Sequence, residues 1–298
     1  MRVFVTGATG FIGSAIVQEL IHAGHKVLGL ARSDAGAKSL FDAGAQVHRG
    51  DLEDLESLRS GAAMSDSVIH TAFNHDFSKY VANCEADRHA IEVLGSALAG
   101  SDRRLIVTSG TGTMGILTPG RLGTEEDPPV PSSAGLPRAA SEEGAASVAA
   151  NGVRASVVRL PPSVHDPVKQ GLVTALIDLA REKGISAYIG DGANRWPAVH
   201  RLDAARLFTL ALEKGVAGAR YHGVAEEGVA LREIAEVIGR RLKVPVVSKS
   251  PEEAADHFGW VGAFLSVDCP ASSAQTKERL GWRPTEPGLI SDLDHFEA

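Results

Sequence analysis

The first 21 residues constrain the fold more than any other part of the chain. Met1-Arg2-Val3-Phe4-Val5-Thr6 is a short apolar run with β-branched residues, which predicts a buried strand. Gly7-Ala8-Thr9-Gly10-Phe11-Ile12-Gly13 follows without a break. Residues 14–21 then have helical spacing, with Ile12, Ile16 and Leu20 on one face. A strand that runs through a glycine turn into a helix is the frame of a pyrophosphate cradle. Gly7 permits the tight turn, Gly10 keeps a Cβ out of the path of the phosphates, and Gly13 lets the helix pack close to the strand. The free N–H groups and the positive dipole end of the helix face the anion. Gly7, Thr9, Gly10, Phe11, Ile12 and Gly13 are therefore the first candidates for binding a dinucleotide.

Strand and helix signals continue to alternate through the first half, which predicts a parallel sheet with helices on both faces. Strands are expected at 25–30, 46–49, 67–70, 104–108 and 155–160, and helices at 84–99 and 141–150. Residues 116–137, rich in Pro, Gly, Ser and Glu, are expected to form a loop. From about residue 166 the pattern changes. Helices are expected at 168–183, 201–213 and 231–242, with one short strand at 187–189. The fold class is thus α/β: a Rossmann-type, doubly wound parallel sheet with a smaller mixed C-terminal domain. The expected division is a dinucleotide-binding domain over 1–165, completed by part of 198–225, and a substrate-binding domain over 166–298.

Composition excludes several functions. Net charge is −7 with no basic block, so no nucleic-acid partner is expected. No apolar run is long enough to cross a bilayer, and the strand at residue 1 leaves no room for a signal peptide. The two cysteines, Cys84 and Cys269, are too few for a disulfide framework. The eleven histidines form no HExxH or other close metal-ligand pair, so no metal is expected. These readings fit a cytoplasmic protein with a small-molecule substrate, no membrane partner, and a monomeric or homodimeric state.

Further segments follow in a consistent order. Gly50-Asp51-Leu52 ends the third strand, and His70-Thr71-Ala72-Phe73 ends the fourth. Thr124-Glu125-Glu126-Asp127-Pro128 precedes the helix at 141–150. Leu160-Pro161-Pro162-Ser163 closes the sixth strand, and Val199-His200-Arg201-Leu202-Asp203 opens a helix. With the glycine motif, these segments resemble an extended-type short-chain dehydrogenase/reductase, the group that includes nucleotide-sugar epimerases and dehydratases. The resemblance implies a nicotinamide cofactor held also by Asp51 and Leu52 at the adenine, by Thr71, Ala72, Phe73 and Thr108 along its length, and by Leu160, Pro161, Pro162 and Ser163 at the nicotinamide.

The catalytic pair of that family is Tyr-x-x-x-Lys, and this chain departs from it. The corresponding stretch, Ala134-Gly135-Leu136-Pro137-Arg138-Ala139-Ala140-Ser141-Glu142, contains neither residue. None of the three tyrosines, Tyr80, Tyr188 and Tyr221, is followed four residues later by Lys. Gly110 stands where the family's catalytic hydroxyl aligns, flanked by Ser109 and Thr111. The chain thus resembles an atypical branch of the group. Its candidate catalytic residues are Ser109, Thr111, Arg138 and His165: a guanidinium can stabilise an oxyanion, and a histidine has a suitable pKa for proton transfer.

The second strand ends Ala31-Arg32-Ser33-Asp34. Ala31 replaces the acidic ribose ligand of NAD-preferring relatives, and Arg32 and Ser33 can bind a 2′-phosphate. NADP(H) is expected ahead of NAD(H), although Asp34 could also reach the ribose. Arg195 and Trp196, expected in a loop, are candidates for the substrate pocket, Trp196 alternatively as a seal between domains. The expected activity is NADP(H)-dependent hydride transfer to or from a small carbonyl or alcohol. The alternatives are an epimerase or dehydratase and a non-catalytic NADP(H) sensor.

Overall fold

Alternate residues of the central strands face opposite ways, and each face has its own helical layer. A computed structural model describes residues 1–115 and 121–296. Its main sheet contains β1 (Arg2–Thr6), β2 (Lys26–Ala31), β3 (Gln46–Arg49), β4 (Ser67–His70), β5 (Arg104–Gly110), β6 (Arg154–Leu160) and, after a long excursion, β10 (Arg220–His222). Between them run α1 (Phe11–His22), α2 (Asp34–Asp42), α3 (Leu55–Ala63), α4 (Tyr80–Leu98), α5 (Ala140–Ala150) and α7 (Arg201–Lys214). The strand order is β10-β6-β5-β4-β1-β2-β3, parallel throughout.

Val3, Val5, Ile69 and Ile106 face Ile16 and Leu20 of α1 and Leu207 and Phe208 of α7. Their neighbours Phe4, Val68, Leu105 and Val107 face Leu58 of α3, Ile91 and Leu94 of α4 and Val148 of α5. A strand buried on both faces must be apolar at successive positions, which is why these strands read as continuous hydrophobic runs. The chain reverses its winding between β1 and β4, so the C-terminal ends of those strands form the crevice where open α/β sheets bind ligands.

The remaining chain builds β7 (Ser163–His165), α6 (Val173–Lys183), β8 (Ser186–Ile189), β9 (Arg195–His200), β11 (Glu226–Ala230), α8 (Leu231–Leu242) and β12 (Val246–Lys249), then the short helices α9 (Pro251–Phe258), α10 (Gly262–Leu265), α11 (Ala274–Leu280) and α12 (Leu289–Leu293). A three-stranded sheet β11-β9-β7 and the pair β12-β8 replace any long sheet here. Trp196, Ile177, Ile234, Phe258 and Leu289 share one core.

Three sequence expectations need correction. Arg195 and Trp196 lie in β9, not in a loop, paired with Ala230 and Val229 of β11, while β7 pairs with the far end of the strand from Ala198 to His200. The helix expected from 168 starts at Val173, because Asp166 Oδ1 accepts the Val168 and Lys169 amides, each at 2.8 Å, and Gly171 turns the chain at φ +59°. The helix expected from 84 already starts at Tyr80. Of the expected loop 116–137, residues 116–120 lie outside the described residues.

Candidate active site

The three glycines of the first turn have separate roles. Gly7 has φ +68°, and a Cβ there would sit 2.7 Å from the Ala72 amide nitrogen. A Cβ on Gly13 would lie 2.0 Å from the Gly7 carbonyl oxygen, so the start of α1 packs directly on the turn. A Cβ on Gly10 would meet only the Gly7 oxygen, at 3.1 Å, and otherwise opens above the strand ends. Gly10 caps α1 with no side-chain hydrogen bond. The first amides of the helix are therefore available to an anion that approaches over Gly10. Thr9 and Gly10 are exposed, and Phe11 and Ile12 are half-buried. This arrangement fits a dinucleotide pyrophosphate. The Phe11 ring also carries two cations that were not among the cofactor candidates, Arg201 at 5.1 Å and Lys169 at 5.7 Å from its centroid.

A chain of side chains crosses the strand ends. Thr6 Oγ1 is 2.8 Å from His70 Nδ1, and His70 Nε2 is 2.9 Å from Asp87 Oδ1. Asp87 Oδ2 accepts from Arg138 Nη1 at 2.8 Å and from the Ser141 hydroxyl. Arg138 Nη2 donates to the Thr108 carbonyl at 3.0 Å, and its guanidinium lies 4.4 Å from the Phe73 ring centroid. Burial raises the Asp87 pKa, but Arg138 and the His70 and Ser141 hydrogen bonds outweigh it and hold the carboxyl at about 2. Arg138 is thus a fixed cation at the crevice, with its side chain 19% exposed. Asp87 was missed by the sequence reading. The available signal was a carboxylate on the apolar stripe of α4, in step with Cys84, Ile91, Leu94 and Leu98. The Thr108 and Thr71 hydroxyls are used in the frame, donating at 2.8 Å to the His70 and Thr6 carbonyls.

The other candidate catalytic residues lie elsewhere. Ser109 is 3% exposed, and its hydroxyl donates to Glu142 Oε1 at 2.9 Å, so its proton is taken. Glu142 also accepts from Thr113 and, through both oxygens at 2.8 Å, from Arg159 Nε and Nη2. This buried ion pair continues through Arg159 to His222, whose Nδ1 donates to the Ser272 carbonyl. Thr111 is sealed at 1% exposure. His165 is fully buried in β7, its Nδ1 2.7 Å from Asp292 of α12, and burial lowers its pKa. Ser109 and His165 are each tied to a buried carboxylate, while the buried Thr111 hydroxyl and His165 Nε2 have no partner among the described residues.

The two substrate candidates are also occupied. Arg195 makes a two-point ion pair with Asp268, at 3.1 and 2.9 Å. Trp196 is 1% exposed, and its Nε1–H donates to the Phe264 carbonyl at 3.3 Å. Trp196 packs into the second core. Both cysteines are buried and unpaired. Burial pushes the Cys84 thiol up to about 11 and the Cys269 thiol up to about 12.

At the end of β2, Arg32, Ser33 and Asp34 are exposed. Ser33 caps α2 by accepting the Gly36 amide at 3.1 Å, which leaves its hydroxyl proton free. Arg49, not singled out from the sequence, donates to the Ser33 carbonyl at 2.7 Å and pairs with Asp34. Asp51 folds back to accept the Glu53 and Asp54 amides, at 2.9 and 3.0 Å, and Leu52 is half-buried beside it. At the other end, the Leu160 and Pro161 side chains are buried, Pro162 is half-buried, and the buried Ser163 hydroxyl has no partner among the described residues.

The sequence model of the NAD dependent epimerase/dehydratase family matches residues 3–224. The chain belongs to this family. An uncharacterized protein of Schizosaccharomyces pombe is 53% identical over 295 residues, covering 98% of each chain. A 4-hydroxy-2-methyl-3-oxo-4-farnesyl-3,4-dihydroquinoline-1-oxide ketoreductase of Stigmatella aurantiaca is 28% identical, over 91% of this chain and 84% of its own. A dTDP-glucose 4,6-dehydratase from Streptomyces venezuelae, solved with NAD bound, superposes with a TM-score of 0.77 at 22% identity, covering 99% of this chain and 95% of its own. That last likeness is one of fold. Within this epimerase/dehydratase-family chain, α5 contains neither tyrosine nor lysine, and Arg138 stands just ahead of it.

Proposed function

We propose that this family member is an NADP(H)-dependent oxidoreductase acting on a small carbonyl or alcohol, with Arg138 as the group that polarises the substrate oxygen. The observation that carries the reading is the placement of Arg138. Asp87, the Thr108 carbonyl and the Phe73 face fix its guanidinium at the strand ends. Its Nε–H and one Nη2–H have no partner among the described residues. These are the donors offered to an oxygen that gains negative charge, and a preorganised donor costs no reorganisation when the charge develops. When bound, NADPH supplies the hydride to the carbonyl carbon. Solvent water supplies the proton that completes the alcohol, since the His165 ring is fully buried and its Nδ1 is held by Asp292.

NADP(H) is favoured by the free Arg32 guanidinium, the available Ser33 proton and the pairing of Asp34 with Arg49, which removes the nearest repulsive carboxylate. The ketoreductase relative belongs to the same reaction class. Residues 1–165 with the 198–225 stretch are assigned to the cofactor, and the rest of 166–298 to the substrate.

The test is NADPH consumption against a panel of ketones and aldehydes, with calorimetry of NADPH and NADH binding. Turnover that depends on Arg138 supports the reading. Tight NADPH binding with no turnover of any carbonyl would replace it with a nucleotide-sensing role.

A further inference from the structure

Aromatic residues make up only 5% of the chain, yet a third of them form one cluster beside Arg138. Phe73 follows the Thr71-Ala72 segment against which Gly7 packs, so its ring begins at the crevice. From Phe73 the rings continue to Tyr80 at 6.3 Å between centroids, then to Phe77 at 5.6 Å. Phe77 stacks on Trp260 at 4.4 Å with an interplanar angle of 14°, and Phe264 lies edge-on to both, at 6.1 and 6.0 Å. Two distant segments are joined in this way: the one between β4 and α4, and the one around α10.

Both segments are anchored away from their rings. Asn83 Nδ2 donates to the Asn74 and Asp76 carbonyls, at 3.2 and 2.8 Å, which fixes the turn ahead of Phe77. The Phe264 carbonyl accepts from Trp196, and the Leu265 carbonyl from Asn194, each at 3.3 Å. The stack itself is not core. Trp260 is 48% exposed, whereas Trp196 and Trp282 are 1% and 0% exposed. A large indole kept half in water on a fixed backbone presents a face that a flat ligand can cover. Among the described residues, the cation seated on a ring of this cluster is Arg138, over Phe73.

The geometry points to an aromatic-walled substrate site running from Phe73 to the Phe77–Trp260 stack, which takes a planar, apolar aryl ketone with its oxygen toward Arg138. Apart from Arg138 and the exposed His75, which lies edge-on to Phe73 and Phe77 at 5.2 and 6.2 Å, the wall is aromatic carbon surface, which suits a flat aryl group better than a diphosphate. The inference rests on the proposed reductase reading only for the reacting group, a carbonyl.

The experiment uses the full chain saturated with NADP⁺, which binds ligand without turnover. Binding of 1-tetralone, 2-butanone and UDP-glucose is followed by saturation-transfer NMR, with NADP⁺ occupancy checked by calorimetry. We expect wild-type protein to bind 1-tetralone more tightly than the other two. Phe77→Ala and Trp260→Ala should each weaken 1-tetralone about tenfold, the scale of one lost ring contact plus its buried area, and Trp260→Phe should retain most of the affinity. Trp260→Ala also removes the stack on Phe77, so a small fall in melting temperature is expected, and Trp260→Phe, which keeps a ring there, separates lost binding from lost packing. Equal 1-tetralone affinity in wild type and both alanine variants, no 1-tetralone binding at all, or tighter binding of UDP-glucose would each overturn the assignment. Ring-dependent binding with no NADPH consumption would support the site while refuting the reductase reading, so the two fail separately.

Discussion

Asp87 Oδ2 lies 2.8 Å from Arg138 Nη1, and this contact turns a helix-start arginine into a fixed donor. If Arg138 stabilises a developing oxyanion, Arg138→Ala should lower kcat by about 10²–10³ with NADPH affinity little changed. Arg138→Lys should rescue only in part, because one ammonium cannot hold Asp87 and the Thr108 carbonyl and still face the crevice. Steady-state kinetics on the first productive ketone, with NADPH calorimetry beside them, would check this. A wild-type kcat in Arg138→Ala would remove the residue from the reaction.

Gly10 and Gly13 should respond differently to the same change. In Gly10→Val the new side chain enters space reserved for phosphate, so NADPH binding should be lost while the unliganded protein melts near the wild-type temperature. In Gly13→Val the Cβ would collide with the Gly7 carbonyl at 2.0 Å, so the fold itself should be lost or severely destabilised. Circular dichroism and cofactor calorimetry separate the two results. Retained NADPH affinity in Gly10→Val would reduce the motif to a turn.

Arg32→Ala should cost roughly 1–3 kcal/mol of NADPH affinity and leave NADH affinity almost unchanged, the expectation for a charge-assisted contact to a 2′-phosphate alone. Arg49→Ala should also weaken NADPH, by unpairing Asp34 beside the same site. Calorimetry with both nucleotides decides. Equal affinity for NADPH and NADH in the wild type would count against the preference.

His222 should make the fold acid-sensitive. Burial pushes its pKa down to about 4, with Arg159 acting in the same direction and Glu125 and Glu142 opposing. The neutral ring donates from Nδ1 to the Ser272 carbonyl and faces Arg159 with Nε2, so a proton on Nε2 would point at a guanidinium. The folded pKa is below the unfolded value of about 6.5, so this contribution is complete above pH ~6.5 and is lost as pH falls toward ~4. Denaturant titrations at both ends of that window should show it, and His222→Asn should show a shallower pH slope. The same slope in both proteins would exclude the ring as the source.

The crevice was legible because its parts are neighbours in the chain. The turn at Gly7, the opening at Gly10 and the packing at Gly13 follow from local geometry, and each glycine meets the constraint its position implies. The alternation of apolar strands and helices gave the sheet for a similar reason, since burial on both faces leaves a continuous hydrophobic run. Arg138 was legible as a candidate by its position before α5. What Ser109 and His165 face was not legible, because a hydroxyl or imidazole near the right segment looks the same in sequence whether it faces a ligand or a buried carboxylate.

What the sequence determined alone is therefore the strand, glycine turn and helix at the N-terminal end of the chain, the α/β order and the absence of Tyr and Lys from the stretch 134–142. The tertiary structure decided which polar groups are free. Arg138 meets Asp87 across 51 positions, Arg195 meets Asp268 across 73, and His165 meets Asp292 across 127. The Phe77 and Trp260 rings meet only because the second core sets the segment around α10 against the one between β4 and α4. Electrostatic and aromatic contacts act over a few ångströms, and over such sequence separations only the folded backbone sets those distances.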